Sequence, residues 1–140
     1  MRRLAAAATL FFALTTPLMA QRPAGPVDSS LFGEWVGGIF PPPVTLSAQE
    51  CLSQPMVIFT RDSVMRAIMT SAAYEQRAIA SARTTAAGFE IQLYPNQNPN
   101  LAGFGCPNPD VLPVQRRGDN EIVFPGCSGF PFPLIRCAAH

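Results

Sequence analysis

The chain has 140 residues, a formal net charge of +1 and 48% hydrophobic residues. That length suits one domain, and so balanced a charge argues against a nucleic-acid-binding surface. All ten basic residues are arginine, so no lysine is present to form a Schiff base or act as an amine base.

Residues 1–20 read as a cleavable secretory signal peptide. Arg2 and Arg3 give a positive start, Leu4 to Leu14 is an apolar run, Pro17 breaks it, and Ala20 offers a small residue at the cut. The apolar run is shorter than the ~20 residues of a spanning helix. The mature chain is therefore expected to start near Gln21, with no membrane span, in the periplasm or the medium. The arginine-only basic set fits a GC-rich bacterial genome. No cysteine sits just after the cut to carry a lipid.

Residues 21–30, polar and interrupted by proline and glycine, read as a flexible leader, and 31–140 as a single β-rich domain. Leu31 to Gly38 reads as a first strand. Pro41-Pro42-Pro43 then stops regular structure, so 39–54 reads as a long loop carrying Cys51. Met56 to Thr60 is a short β-favouring run. Phe89 to Tyr94 alternates apolar and polar residues over a strand length, with Phe89, Ile91 and Leu93 on one face. Residues 95–110, dense in Asn, Pro and Gly, read as a surface loop. Val111 to Arg117 and Glu121 to Phe124 form a hairpin around Gly118-Asp119. Phe132 to Ala138 is the last strand, with Pro131 and Pro133 marking its start.

Residues 63–87 fit two patterns. As a helix over 63–85, Val64, Met65, Ile68, Met69, Ala72, Ile79 and Ala82 share a face, and the fold is α+β with that helix packed on a sheet. As strands, Val64 to Thr70 and Tyr74 to Thr84 join at Ser71-Ala72-Ala73. Alanine content favours the helix; the strand neighbours and regular spacing favour the second reading, which is preferred. It makes the chain mainly β, an antiparallel meander of about eight strands in a closed or partly closed small barrel.

Cys51, Cys106, Cys127 and Cys137 read as two disulfides. No C-x-x-C pair exists and the single histidine is His140, so no metal site is expected. Cys106 and Cys127 lie just beyond the open ends of the 111–124 hairpin. A Cys106–Cys127 bridge would tie its base and leave Cys51 for Cys137.

Gly33-Glu34-Trp35 on the first strand and Arg136 on the last resemble the calycin (lipocalin-like) pattern. The resemblance implies that Trp35 packs beneath Arg136 and closes one end of the barrel, a cation–π pair worth ~0.5–2 kcal/mol. It covers the two ends of the chain, and the T-D-Y-type motif of true lipocalins is absent. Small exported barrels of this kind include inhibitors of proteases and lysozymes.

No catalytic constellation emerges. One terminal histidine makes a Ser-His or Cys-His pair improbable, and Gly126-Cys127-Ser128-Gly129 lacks nucleophile-elbow spacing. Asp62, Glu75, Glu90, Asp110 and Glu121 could pair as acids, yet no spacing selects two of them. Arg117-Gly118-Asp119 spells an integrin-recognition tripeptide, but turn chemistry already accounts for it. Tyr74, Arg77, Arg83, Arg116 and Arg117 are candidates for a polar recognition surface, against the plainer role of solubility. The two long loops are the better candidates, because binding residues concentrate on scaffold-held loops. Phe40, Pro42, Phe104 and Phe130 are the expected contact residues. The sequence thus points to a non-enzymatic binding module for a protein partner or a small apolar ligand, without cofactor. The alternative is a structural or stress-related envelope protein with no tight ligand.

Overall fold

The computed structural model describes Gly25 and residues 27–137, apart from Gln54 and Pro99. The expected signal peptide, the start at Gln21 and His140 lie outside the described residues. Eight strands follow one another in chain order: β1 (Gly33–Gly37), β2 (Val57–Phe59), β3 (Ser63–Ala67), β4 (Tyr74–Thr84), β5 (Gly88–Leu93), β6 (Val111–Arg116), β7 (Glu121–Val123) and β8 (Leu134–Arg136). Each pairs antiparallel with the next, and β8 returns to β1, so the sheet closes into a barrel with no free sheet edge.

The period-2 pattern decides which side chains point inward. Trp35, Val57, Phe59, Val64, Ile91, Leu112, Ile122 and Leu134 are buried in one continuous core. On β4 a bulge between Ile79 and Ser81 shifts the register. Glu75 and Arg77 face inward before it and Ala82 after it, so one extra residue lets an 11-residue strand keep a buried face throughout. Pro113 sits within β6. Its neighbours Leu112 and Val114 direct their N–H groups toward β5, so the missing N–H faces the β7 side. There β7 pairs only with Gln115 and Arg116, and no ladder bond is lost.

Segment 63–87 is β3 and β4, paired from Ser63↔Ala78 to Ala67↔Tyr74, so the helix alternative is overturned. The alanine-rich propensity loses to pairing, since closing the ladder satisfies every strand and the helix would leave the barrel open. The expected loop 39–54 needs a correction too: it contains a short helix, α1 (Ala48–Ser53). Ser47 and Glu50 form a reciprocal cap, with Glu50 Oε2 accepting from Ser47 N at 2.9 Å and Ser47 Oγ accepting from Glu50 N at 3.2 Å. The leader is also less free than expected. Gly25 exchanges two backbone hydrogen bonds with Ala82, Val27 is buried, and Ser29–Leu31 is a 3-10 turn capped by Asp28.

Both disulfides join the expected cysteines, Cys51–Cys137 and Cys106–Cys127. The first lies outside the barrel wall, where Cys51 and Cys137 pack with outward-facing Val36 and Ile135. It straps α1 to the end of β8.

Candidate functional site

The meander gives the barrel two unlike ends. One end carries three short turns, 60–62, 85–87 and 117–120, together with the N-terminal 3-10 turn. The other carries four longer connections, 38–56, 68–73, 94–110 and 124–133.

The short-turn end is sealed. Trp35 is 1% exposed, donates from Nε1 to Leu31 O at 3.0 Å, and lies beneath the Arg136 guanidinium at 4.8 Å. Trp35 and Arg136 are register partners on β1 and β8, so the pair sits on the seam where the first and last strands meet. Arg116 covers Phe89 at 5.1 Å and reaches Asp28 at 4.0 Å. Arg61, Asp62, Arg117 and Asp119 make two of the three turns there charged, 60–62 and 117–120.

The loop end is plugged from inside and neutral outside. Phe104, from 94–110, is 4% exposed and packs on Phe124 and Phe130 at 5.6 and 5.3 Å between ring centroids. Beneath this aromatic cluster lie inward-facing polar groups. Arg77 donates to Tyr94 O at 2.7 Å and to Asp110 Oδ1 at 2.9 Å. Arg66 donates to Gly103 O and covers the Phe130 ring. Glu75, opposite Arg66 in the ladder and 3% exposed, accepts from Gly103 N at 3.3 Å. Burial lowers the Arg66 pKa from its ordinary value, with the Glu75 charge opposing that shift. These buried charges find partners in the loop backbone, so they fasten 94–110 over the barrel instead of standing free for chemistry.

The connections are also tied to one another. Ser128 N and Gly129 N donate to Gly105 O and Phe104 O, beside the Cys106–Cys127 bridge. Gly105 has φ +71° and a Cβ there would lie 2.5 Å from Gly129 N, so only glycine permits this crossing. Gly38 exchanges backbone bonds with Phe132 and Pro133, and Tyr74 Oη donates to Pro55 O at 2.8 Å. The result is one connected surface, not four independent loops.

Two features set that surface apart. Its four connections contain only two charged residues, Glu50 and Asp110, and no cation. And among the described residues all six exposed large hydrophobic side chains, Phe40, Val44, Leu52, Met69, Tyr94 and Phe132, belong to it. A shallow depression of about 260 Å³ beside Phe40 is lined by Val36, Gly37, Pro41, Pro43, Glu50 and Met56.

Of the expected contact residues, Phe40 is 55% exposed and Pro42 half-buried, both on this surface. Phe104 and Phe130, at 4% and 2% exposed, are core side chains that hold the surface from below. Sequence reading missed Met69, Tyr94 and Phe132, whose shared end becomes visible only once strand order is known. The acids do not converge on an exposed pair. Glu90 pairs with Arg83 at 2.6 Å on the outer wall, Asp110 with Arg77, and Asp62 lies in a turn at the opposite end. Tyr74, Arg77, Arg83, Arg116 and Arg117 are likewise dispersed between interior, wall and both ends. The Arg117-Gly118-Asp119 tripeptide is the β6–β7 turn.

Comparison of the chain with protein families, with curated proteins and with solved structures gives no match in any of the three. The two disulfides fit an oxidising compartment, and no helix among the described residues is long and apolar enough to cross a membrane.

Proposed function

We propose that the chain is a non-enzymatic binding module of the bacterial envelope that engages a protein partner through the loop end of its barrel. The observation that carries this reading is the coincidence on one end of every exposed large apolar side chain among the described residues with an almost complete lack of charge. Charge depletion with aromatic and methionine enrichment distinguishes the buried centre of a protein interface from ordinary surface. Cross-tied, disulfide-pinned connections lower the ordering cost of binding. The resemblance of Gly33, Trp35 and Arg136 to the calycin pattern and the signal-like residues 1–20 support the reading as an exported module, of which an inhibitor is one concrete form.

Two rival occupants fit less well. An apolar ligand would need space in the barrel, where Phe59, Phe104, Phe124 and Phe130 pack on each other. An anionic lipid surface would be met by lysine or arginine, and the four connections contain neither.

Native mass spectra of the protein purified from its own host test this reading. The expected result is a protein-sized adduct that is lost in the triple variant Phe40→Ser/Met69→Ser/Tyr94→Ser. A bare monomer, or an adduct of small-molecule mass, would contradict it.

A further inference from the structure

The two disulfides stand in unlike surroundings. Cys51 and Cys137 are both buried, packed with Val36, Leu46 and Ile135. Cys106 is the one cysteine of the four that is not buried, and Gly105, Pro107 and Asn108 around it are exposed. Cys127 is buried, but Pro125, Gly126 and Ser128 beside it are exposed. Each residue of this second bridge also fronts an open depression. Cys106 lines one of about 450 Å³ with Asn96 and Leu101, and Cys127 lines one of about 380 Å³ with Gln115 and Pro131.

The two bridges also hold different parts of the molecule. Cys51–Cys137 spans 86 residues and straps α1 to the end of β8, whereas Cys106–Cys127 spans 21 and joins two connections outside every strand. A bridge across the longer loop constrains the unfolded chain more. The shorter one pins the aromatic plug, with Phe104 just before Cys106 and Phe130 just after Cys127.

We infer that Cys106–Cys127 is a site of thiol–disulfide exchange. A dithiol reduces it selectively while Cys51–Cys137 stays closed, and the reduction loosens the loop end without opening the barrel. Exchange requires a thiolate to reach a disulfide sulfur, so its rate follows access. No cysteine of the chain is free, so the thiolate comes from a second molecule. It attacks Cys106 Sγ, forms a mixed disulfide and expels Cys127 as a thiolate, which takes up a proton. The second thiol of the reagent then attacks the reagent's own sulfur and releases Cys106, which takes up the proton that thiol gave up. Two electrons pass to the bridge, and the dithiol leaves as a disulfide. The crossing then keeps only the bonds from Ser128 N to Gly105 O and from Gly129 N to Phe104 O, with Arg66 and Glu75 still on Gly103. The plug is loosened but stays in place. None of these steps requires a partner at the loop end.

The test treats the oxidised protein with graded dithiothreitol, blocks new thiols with N-ethylmaleimide and reads all four cysteines by peptide mass spectrometry. The expected result is labelling of Cys106 and Cys127 roughly tenfold faster, or more, than of Cys51 and Cys137, since access sets the rate. Far-ultraviolet dichroism should stay unchanged, and hydrogen exchange of the half-reduced protein should rise in 94–110 and 124–133 alone. Equal labelling, earlier labelling of Cys51 and Cys137, or labelling that appears only as the dichroism is lost would overturn the inference. So would selective labelling with exchange rising throughout the strands.

Discussion

The two ends of this barrel are built from different sequence chemistry. At the short-turn end the turns have three or four residues and two of the three carry charge, the turn at Gly118 has φ +129°, and a Trp35–Arg136 stack closes the seam. At the loop end, connections of 6 to 19 residues are nearly uncharged, rich in proline, and tied to one another by backbone bonds and a disulfide. Tight turns leave no freedom beyond closing the ladder, so that end is scaffold. Long connections with buried fastenings and exposed apolar tips carry more structure than closure needs. The difference teaches where selection for binding can act without disturbing the fold.

The largest expected effect lies at the scaffold end. Trp35→Ala removes a fully buried indole, its bond to Leu31 O and the Arg136 stack. It should cost about 3–5 kcal/mol in urea unfolding, and Trp35→Phe clearly less. A cost for Trp35→Ala near zero would mean that the seam does not hold the barrel.

Next comes the loop-end fastening. Replacing Cys106 and Cys127 by alanine opens a loop of 21 residues and should cost about 3 kcal/mol by chain entropy. Here hydrogen exchange should accelerate mainly in 94–110 and 124–133, whereas Trp35→Ala should accelerate it throughout. Equal acceleration in both variants would erase the distinction between scaffold and loop end.

The exposed apolar tips should matter little for stability. Phe40→Ser, Met69→Ser and Tyr94→Ser should each change unfolding free energy by no more than about 0.5 kcal/mol while removing partner binding. A larger loss of stability would make them structural.

The smallest effect is at the N-terminal cap. The Ser30 hydroxyl beside it, then the Ser30 N–H bonded to Oδ1 at 2.8 Å, and more weakly Arg116, hold the Asp28 carboxyl below its ordinary value, against a small burial penalty. A depressed carboxylate stabilises the fold above its unfolded pKa, and loses that contribution as the pH falls through its folded value. Asp28→Asn should therefore be less stable than the parent at neutral pH, by under about 1 kcal/mol. The gap should close on titration below pH ~4. A gap that persists in acid would assign it to lost contacts instead of charge.

What sequence could and could not reveal follows the same division. Alternation in Phe89–Leu93 and the Gly118-Asp119 turn are local signals, and they located β5 and the β6–β7 hairpin. The cysteine pairing followed from that hairpin's geometry. The choice between helix and strands in 63–87 needed the ladder, because alanine propensity points the other way. The Ser47–Glu50 cap of α1 was present in the sequence but obscured by the three prolines before it. Phe104 and Phe130 lie in loops, so local sequence points to the surface for both, whereas they are core side chains. Their burial depends on Arg66, Glu75 and Arg77, which point inward from β3 and β4 to bind a distant loop, and no local pattern encodes that contact. The neutrality of the loop end was likewise invisible until strand order assigned four separate segments to one face.

The most direct test of the loop-end account places a photo-crosslinking residue at Met69 in one variant and at Asp119 in another, one at each end of the barrel, in the producing cell. The account predicts a discrete protein cross-link from position 69 and none from position 119. A cross-link from position 119 alone, or from neither, would contradict it.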